Sequence, residues 1–182
     1  GGAKAEVLIG EKGKPGSDEA HLNAPAGLDC DAAGRLYVAD AHNNRIQIFS
    51  PDGKHLKTIP ADRPQLLRVH QKSGAIYVQH SARHEGRTFA RLTKFASFDQ
   101  PQEEFHADGL SSKIMAVDSW TAKPRLWLSS EVKSRQPYGG EPKDWHGLRI
   151  HEADGKKFKV LCDFDDEAKK QAGENYLGRW SG

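Results

Sequence analysis

"RLYVADAHNNRIQIFSPDGK", residues 35–54, contains two short strands and the turn into a third. Leu36-Tyr37-Val38-Ala39 and Arg45-Ile46-Gln47-Ile48-Phe49 are rich in the β-branched and aromatic residues that suit a pleated, packed surface. Between them residues 41–44 form a polar four-residue turn, and Asp52-Gly53-Lys54 is the signal of a second hairpin. The first strand is apolar at consecutive positions, a pattern that expects cover on both faces. A lone meander cannot supply that cover, so the unit needs neighbours.

The neighbours are in the same chain. Leu36-Tyr37-Val38 recurs as Ile76-Tyr77-Val78 and as Leu126-Trp127-Leu128, each after a turn signal. Each is preceded by an apolar strand: residues 27–30, 66–69 and 114–117. Downstream, residues 45–49 have counterparts in 91–95 and, more weakly, in 147–151; Asp52-Gly53-Lys54 recurs as Asp154-Gly155-Lys156. Three a–b–c–d units follow. The first has strands at about residues 26–30, 35–39, 45–50 and 55–59.

The spacing predicts an all-β chain of four-stranded antiparallel meanders stacked as the blades of a β-propeller. The blades are expected at about residues 22–60, 61–107 and 108–164, together spanning 1–164 with a leading strand of a preceding blade at 5–9. A short helix over 165–172 and a linker complete 165–182. A β-sandwich is the rival, but it does not require an internal repeat.

Bulk properties bound the function. The 182 residues suffice for one ordinary core, and the net charge of +2 gives no argument for nucleic acid as a partner. No apolar run reaches the length of a membrane span. Cys30 and Cys162 are too few for a disulfide framework. Cys30 aligns with Val69 and Val117 and reads as a small core residue, whereas Cys162 falls on an outer strand, so no bridge between the two is expected. The chain opens Gly-Gly-Ala-Lys and its one methionine is Met115, which reads as an excised or truncated piece.

Residues 22–56, "LNAPAGLDCDAAGRLYVADAHNNRIQIFSPDGKHL", resemble the NHL repeat: a Pro and a small apolar strand, Gly, an apolar-Tyr-Val-Ala-Asp strand, Asn-Arg-Ile, Phe and Asp-Gly. The resemblance is confined to this unit. Where it has Asp40, the second unit has His80 and the third Ser130; Arg45 has a counterpart in Arg91 but faces Gly147 in the third. Asp40 and Arg45 flank the turn at 41–44 and read as a structural cross-strand charge pair. The resemblance implies a six-bladed propeller. Three blades then form half a ring, completed by the remaining blades of a longer chain or by a second copy. It also implies a secreted or periplasmic setting, on which composition is silent.

Alternating strand direction puts the b–c turns and the d–a connections at one end of every blade. His42, His80, His84 and His146 lie on or beside b–c turns, and His21 and His106 on d–a connections; His55, His70 and His151 belong to the other end. The insertion at 130–145, "SEVKSRQPYGGEPKDW", adds Arg135, Tyr138 and Trp145 to the first end. Aromatic and basic residues together suit recognition of a peptide, a sugar or a nucleobase. The expected binding set on this loop face is therefore His42, His80, His84, Arg135, Tyr138, Trp145 and His146.

No cofactor is expected. The alternative is a divalent metal at the channel mouth held by His80, His21 and His146, as the resemblance implies for a metal-dependent lyase or hydrolase. A second alternative is RNA binding through a basic loop face. The default expectation is a scaffold or binding module for a protein or peptide, and not an enzyme.

Overall fold

The computed structural model describes residues 7–129 and 147–173. They form twelve strands and a helix: β1 (Pro25–Cys30), β2 (Leu36–Asp40), β3 (Arg45–Phe49), β4 (His55–Pro60), β5 (Leu66–Val69), β6 (Ile76–His84), β7 (Arg87–Phe95), β8 (Glu103–Asp108), β9 (Ile114–Asp118), β10 (Arg125–Ser129), β11 (Leu148–Asp154), β12 (Lys157–Asp163) and α1 (Phe164–Ala172). Strands pair in chain order into three antiparallel four-stranded sheets, β1–β4, β5–β8 and β9–β12. The three units of the sequence are these three sheets, as propeller blades require. The chain divides into two compact units, Gly1–Leu110 and Ser111–Gly182.

In the first unit, sheets β1–β4 and β5–β8 pack face to face. Tyr37, Ala39, Ile46, Ile48 and Ile59 of the first share one buried cluster with Leu67, Val69, Ile76, Val78 and Phe95 of the second. Strand β1 lies directly against β5, and Gly27 permits it: a Cβ there would stand 2.7 Å from the Gln65 carbonyl oxygen and 3.3 Å from the Leu67 nitrogen. Strands β2 and β3 are buried on both faces as their apolar runs require.

Strand β1 departs from that expectation. Leu28 is 65% exposed and Cys30 is exposed, so Cys30 is not a core residue. Its counterpart Val69 is 1% exposed, in the cluster it shares with Tyr37, Ala39 and Ile46 of the first sheet. The leading strand expected at 5–9 lies partly outside the described residues. Its described part, residues 7–9, is bent, and only an isolated bridge between Glu11 and Lys14 follows.

Strands β6 and β7 are longer than the sequence led us to expect. They pair from Ile76↔Phe95 to His84↔Arg87, and Glu85 and Gly86, both at positive φ, make the two-residue turn. The flanking strands stop earlier. β5 reaches only Gln79, and β8 begins pairing at Arg91. A two-stranded ribbon therefore projects from the sheet on the b–c side.

The second unit holds sheet β9–β12 and α1. Gly155 at φ +60° turns β11 into β12 at the expected hairpin. The helix starts at Phe164, one residue earlier than expected. Asp163 caps it by accepting from the N–H groups of Asp165 and Asp166, and Lys169 and Lys170 sit in its last turn. Phe164 stacks on Trp127 of β10 with ring centroids 6.2 Å apart.

Candidate ligand-binding cleft on the loop face

The structure explains the Asp-Arg signature of the first sheet before it explains any binding. Asp40 is fully buried. Its carboxylate accepts from Asn23 N–H at 2.6 Å, Asn43 Nδ2 at 2.7 Å and Arg45 Nε at 2.8 Å. The rest of the Arg45 guanidinium donates to the carbonyls of Ser17, Asp18 and His21 at 2.7, 2.7 and 2.9 Å. The pair thus fastens the segment before β1 across one face of the sheet, with the structural role its position at the hairpin mouth suggests.

In the second sheet the same positions, His80 and Arg91, again face each other, but the carboxylate comes from elsewhere. Arg91 binds Asp108 of β8 through two bonds, 2.6 Å from Nε to Oδ1 and 3.1 Å from Nη2 to Oδ2. The Arg91 guanidinium holds the Asp108 carboxyl below its ordinary range. His80 fills Asp40's place as a neutral ring. Burial pushes its pKa down, the Arg91 cation adds to this, and the bond to the Ser81 carbonyl opposes it. Nδ1 lies 2.8 Å from that carbonyl and Nε2 lies 2.8 Å from Thr93 Oγ1. The neutral tautomer that fits donates from Nδ1 and accepts the Thr93 hydroxyl at Nε2.

His80 therefore lies within β6 and not on or beside the b–c turn, whereas His84 does stand beside it. His80 lies mid-strand with both nitrogens engaged inside the sheet. His84 is exposed at the ribbon's end, 3.7 Å from a Glu85 carboxylate oxygen. His42 sits, exposed, in the 3-10 turn Ala41–Asn43. His21 pairs with Asp18 at 2.8 Å, and His106 lies within β8 rather than on a connection, 2.5 Å from Glu103. His151 is buried in the middle of β11, not at a turn. Arg135, Tyr138, Trp145 and His146 lie outside the described residues.

The metal set of His80, His21 and His146 gains no support from this geometry. The Nε2 lone pair of His80 is taken by Thr93, and among the described residues no three His, Cys, Asp or Glu side chains converge as metal ligands.

What the ribbon does build is an open cleft of about 580 Å³ lined by Arg83, His84, Phe89, Arg91, Asp108 and Gly109. Phe89 is half-buried, with the Arg91 guanidinium 5.7 Å from its ring centroid. The sequence reading found His84 but missed Phe89, Arg83, Asp108 and Gly109. A signal was present: His84-Glu85-Gly86-Arg87 is a two-residue hairpin turn between alternating strands.

Comparison with known proteins bears on the first sheet above all. The NHL repeat family model matches residues 22–49, which run from just before β1 through β3. The chain is 48% identical over 54 residues to Protein lin-41 of Caenorhabditis elegans, an alignment covering 30% of this chain and 4% of that protein. It is 32% identical over 78 residues to peptidyl-alpha-hydroxyglycine alpha-amidating lyase 2 of Drosophila melanogaster, covering 42% of this chain and 19% of that protein. The chain thus spans less than a fifth of the length of either curated relative. Residues 22–49 of this chain are an NHL repeat, carried in an all-β array of four-stranded, propeller-type blades.

Proposed function

We propose that the chain is a binding module that recognises a protein or peptide ligand on the face formed by the b–c turns and d–a connections. The observation that carries this reading is the cleft of about 580 Å³ beneath the β6–β7 ribbon. It offers an aromatic ring, an arginine already held in place by Asp108, and exposed basic groups at its rim. Such a mixture suits a polypeptide side chain set against backbone amides. Panning a random peptide library against the chain tests the reading. Selected peptides should bind the Phe89→Ala variant at least several-fold more weakly than the parent. Peptides that bind both proteins equally would move the site off this face.

A second reading, a metal-dependent lyase or hydrolase, draws on the partial identity to the amidating lyase. The described side chains do not assemble a ligand set for it, and no catalytic step is derived. Stoichiometric metal retained by the chain and lost on His80→Ala would restore it; a metal-free full-length protein would dismiss it.

A further inference from the structure

We propose that the cleft takes its peptide as an added β-strand along the outer edge of β7, with a carboxylate opposite Arg87 and an apolar side chain opposite Phe89. This deepens the peptide-binding reading above and rests on it.

The argument starts from where pairing stops. β7 pairs with β8 only from Arg91 onward, whereas it pairs with β6 out to Arg87. At roughly 3.4 Å per residue, the four ribbon pairs beyond His80↔Arg91 extend some 14 Å past the sheet. β8 leaves the edge at Asp108, and Gly109 at φ +78° turns the chain away. Along residues 87–89, β7 has a paired strand on one side only among the described residues.

The direction of the backbone groups follows from one bond. Gly109 N–H donates to the Ala90 carbonyl at 2.8 Å, so Ala90 turns its peptide groups outward. Residues two apart in a strand point the same way, so Thr88 does too. Its pair across the ribbon, Arg83, faces away in the same fashion. Thr88 therefore presents a donor and an acceptor at the mouth of the cleft, which is what an incoming strand needs.

The side chains then set the ligand's chemistry. Arg87, Phe89 and Arg91 alternate along one face of β7, and His84 pairs with Arg87 at the tip. Arg91 is neutralised by Asp108. Among the described residues Arg87 and Arg83 have no acidic partner, and only Glu85 stands nearby as counter-charge to the tip. A strand laid beside β7 meets a cation at Arg87 and an aromatic face at Phe89, two residues apart. An acidic and an apolar side chain at that spacing answer both. On the opposite edge, β6, Asp62 takes the Ser81 N–H as Gly109 takes the Ala90 carbonyl, so it is the cleft side chains Phe89 and Arg91 of β7, and not the backbone alone, that select the β7 edge.

The test uses a blocked heptapeptide of threonines with a central glutamate and a leucine two residues to either side, so that either strand direction offers the pair. Binding to the whole chain is followed by amide exchange and by fluorescence anisotropy. The expected result is slowed exchange at the Thr88 amide and binding that falls roughly five- to tenfold in Thr88→Pro, which removes one outward hydrogen bond. Thr88→Ala should bind as the parent does, and the lysine-for-glutamate peptide should bind more weakly. Unchanged Thr88 exchange, or equal binding of the lysine peptide, overturns the added-strand inference. If library peptides still depend on Phe89 while the heptapeptide does not bind, the inference falls and the peptide reading stands. If no peptide binds this face, both fall.

Discussion

The carboxylate of Asp29 accepts a hydrogen bond from the backbone N–H of Val69 at 2.9 Å. It joins the first strand of one sheet to the first strand of the next, beside the point where Gly27 lets the two backbones meet. The other oxygen of the same carboxylate accepts from Cys30 N–H at 2.9 Å. Asp29→Ala leaves both donors without this partner. The expected cost is about 1–3 kcal/mol, read as a lower urea midpoint with unchanged slope.

Asp40 and Arg45 should behave as a unit. Asp40→Ala removes the buried acceptor of Asn23 N–H, Asn43 Nδ2 and Arg45 Nε and leaves the partly buried guanidinium with carbonyl partners alone, a loss of about 3 kcal/mol. The double variant Asp40→Ala/Arg45→Ala should cost less than the sum of the two single changes. Additive losses in a double-mutant cycle would show that the two side chains act independently.

Stability should fall with pH in the window below 6.5. His80 is held under its ordinary value of 6.5 mainly by burial. The unfolded chain therefore takes up the proton first as pH drops, and folding loses free energy until the folded ring also protonates. Burial shifts His151 in the same direction. Asp31 acts lower: burial would raise its pKa, but bonds from Arg35 and Tyr37 more than offset this and hold it below 3.8, so its share of stability is lost only at more acid pH. The urea midpoint of His80→Gln should change less between pH 7.5 and 5.5 than that of the parent. Identical slopes would remove His80 from the effect.

Cys30 should react with a maleimide faster than Cys162, because the first thiol is exposed and the second is half-buried. Equal or slower labelling of Cys30 would mean that its face is covered in solution. A concentration-dependent mass would then identify a second copy as the cover.

Much of the fold was legible because strand and turn signals are local. Alternation, Asp-Gly turns and the repeated aliphatic-aromatic triplets placed the strands of the first sheet within a residue or two. The helix was legible from acids before lysines. The cleft was not. Its residues come from the end of β6, the middle of β7 and the end of β8, which form a cleft only because β8 stops short of the β6–β7 ribbon. Of the leading strand expected at 5–9, residues 7–9 are bent and unpaired among the described residues, and residues 5–6 lie outside them.

By itself the sequence determined the order of strands, the turns between them and the Asp40–Arg45 brace. Each of these depends on residues close in the chain or directly opposite in a hairpin. Tertiary structure alone decided which strand faces are buried. Cys30 and Val69 hold the same register position in successive sheets, yet one is open and the other is 1% exposed. It also decided that Arg91 would find its carboxylate on β8 rather than across the hairpin. Burial and charge pairing depend on what lies across a face, and no periodicity along a single strand carries that information.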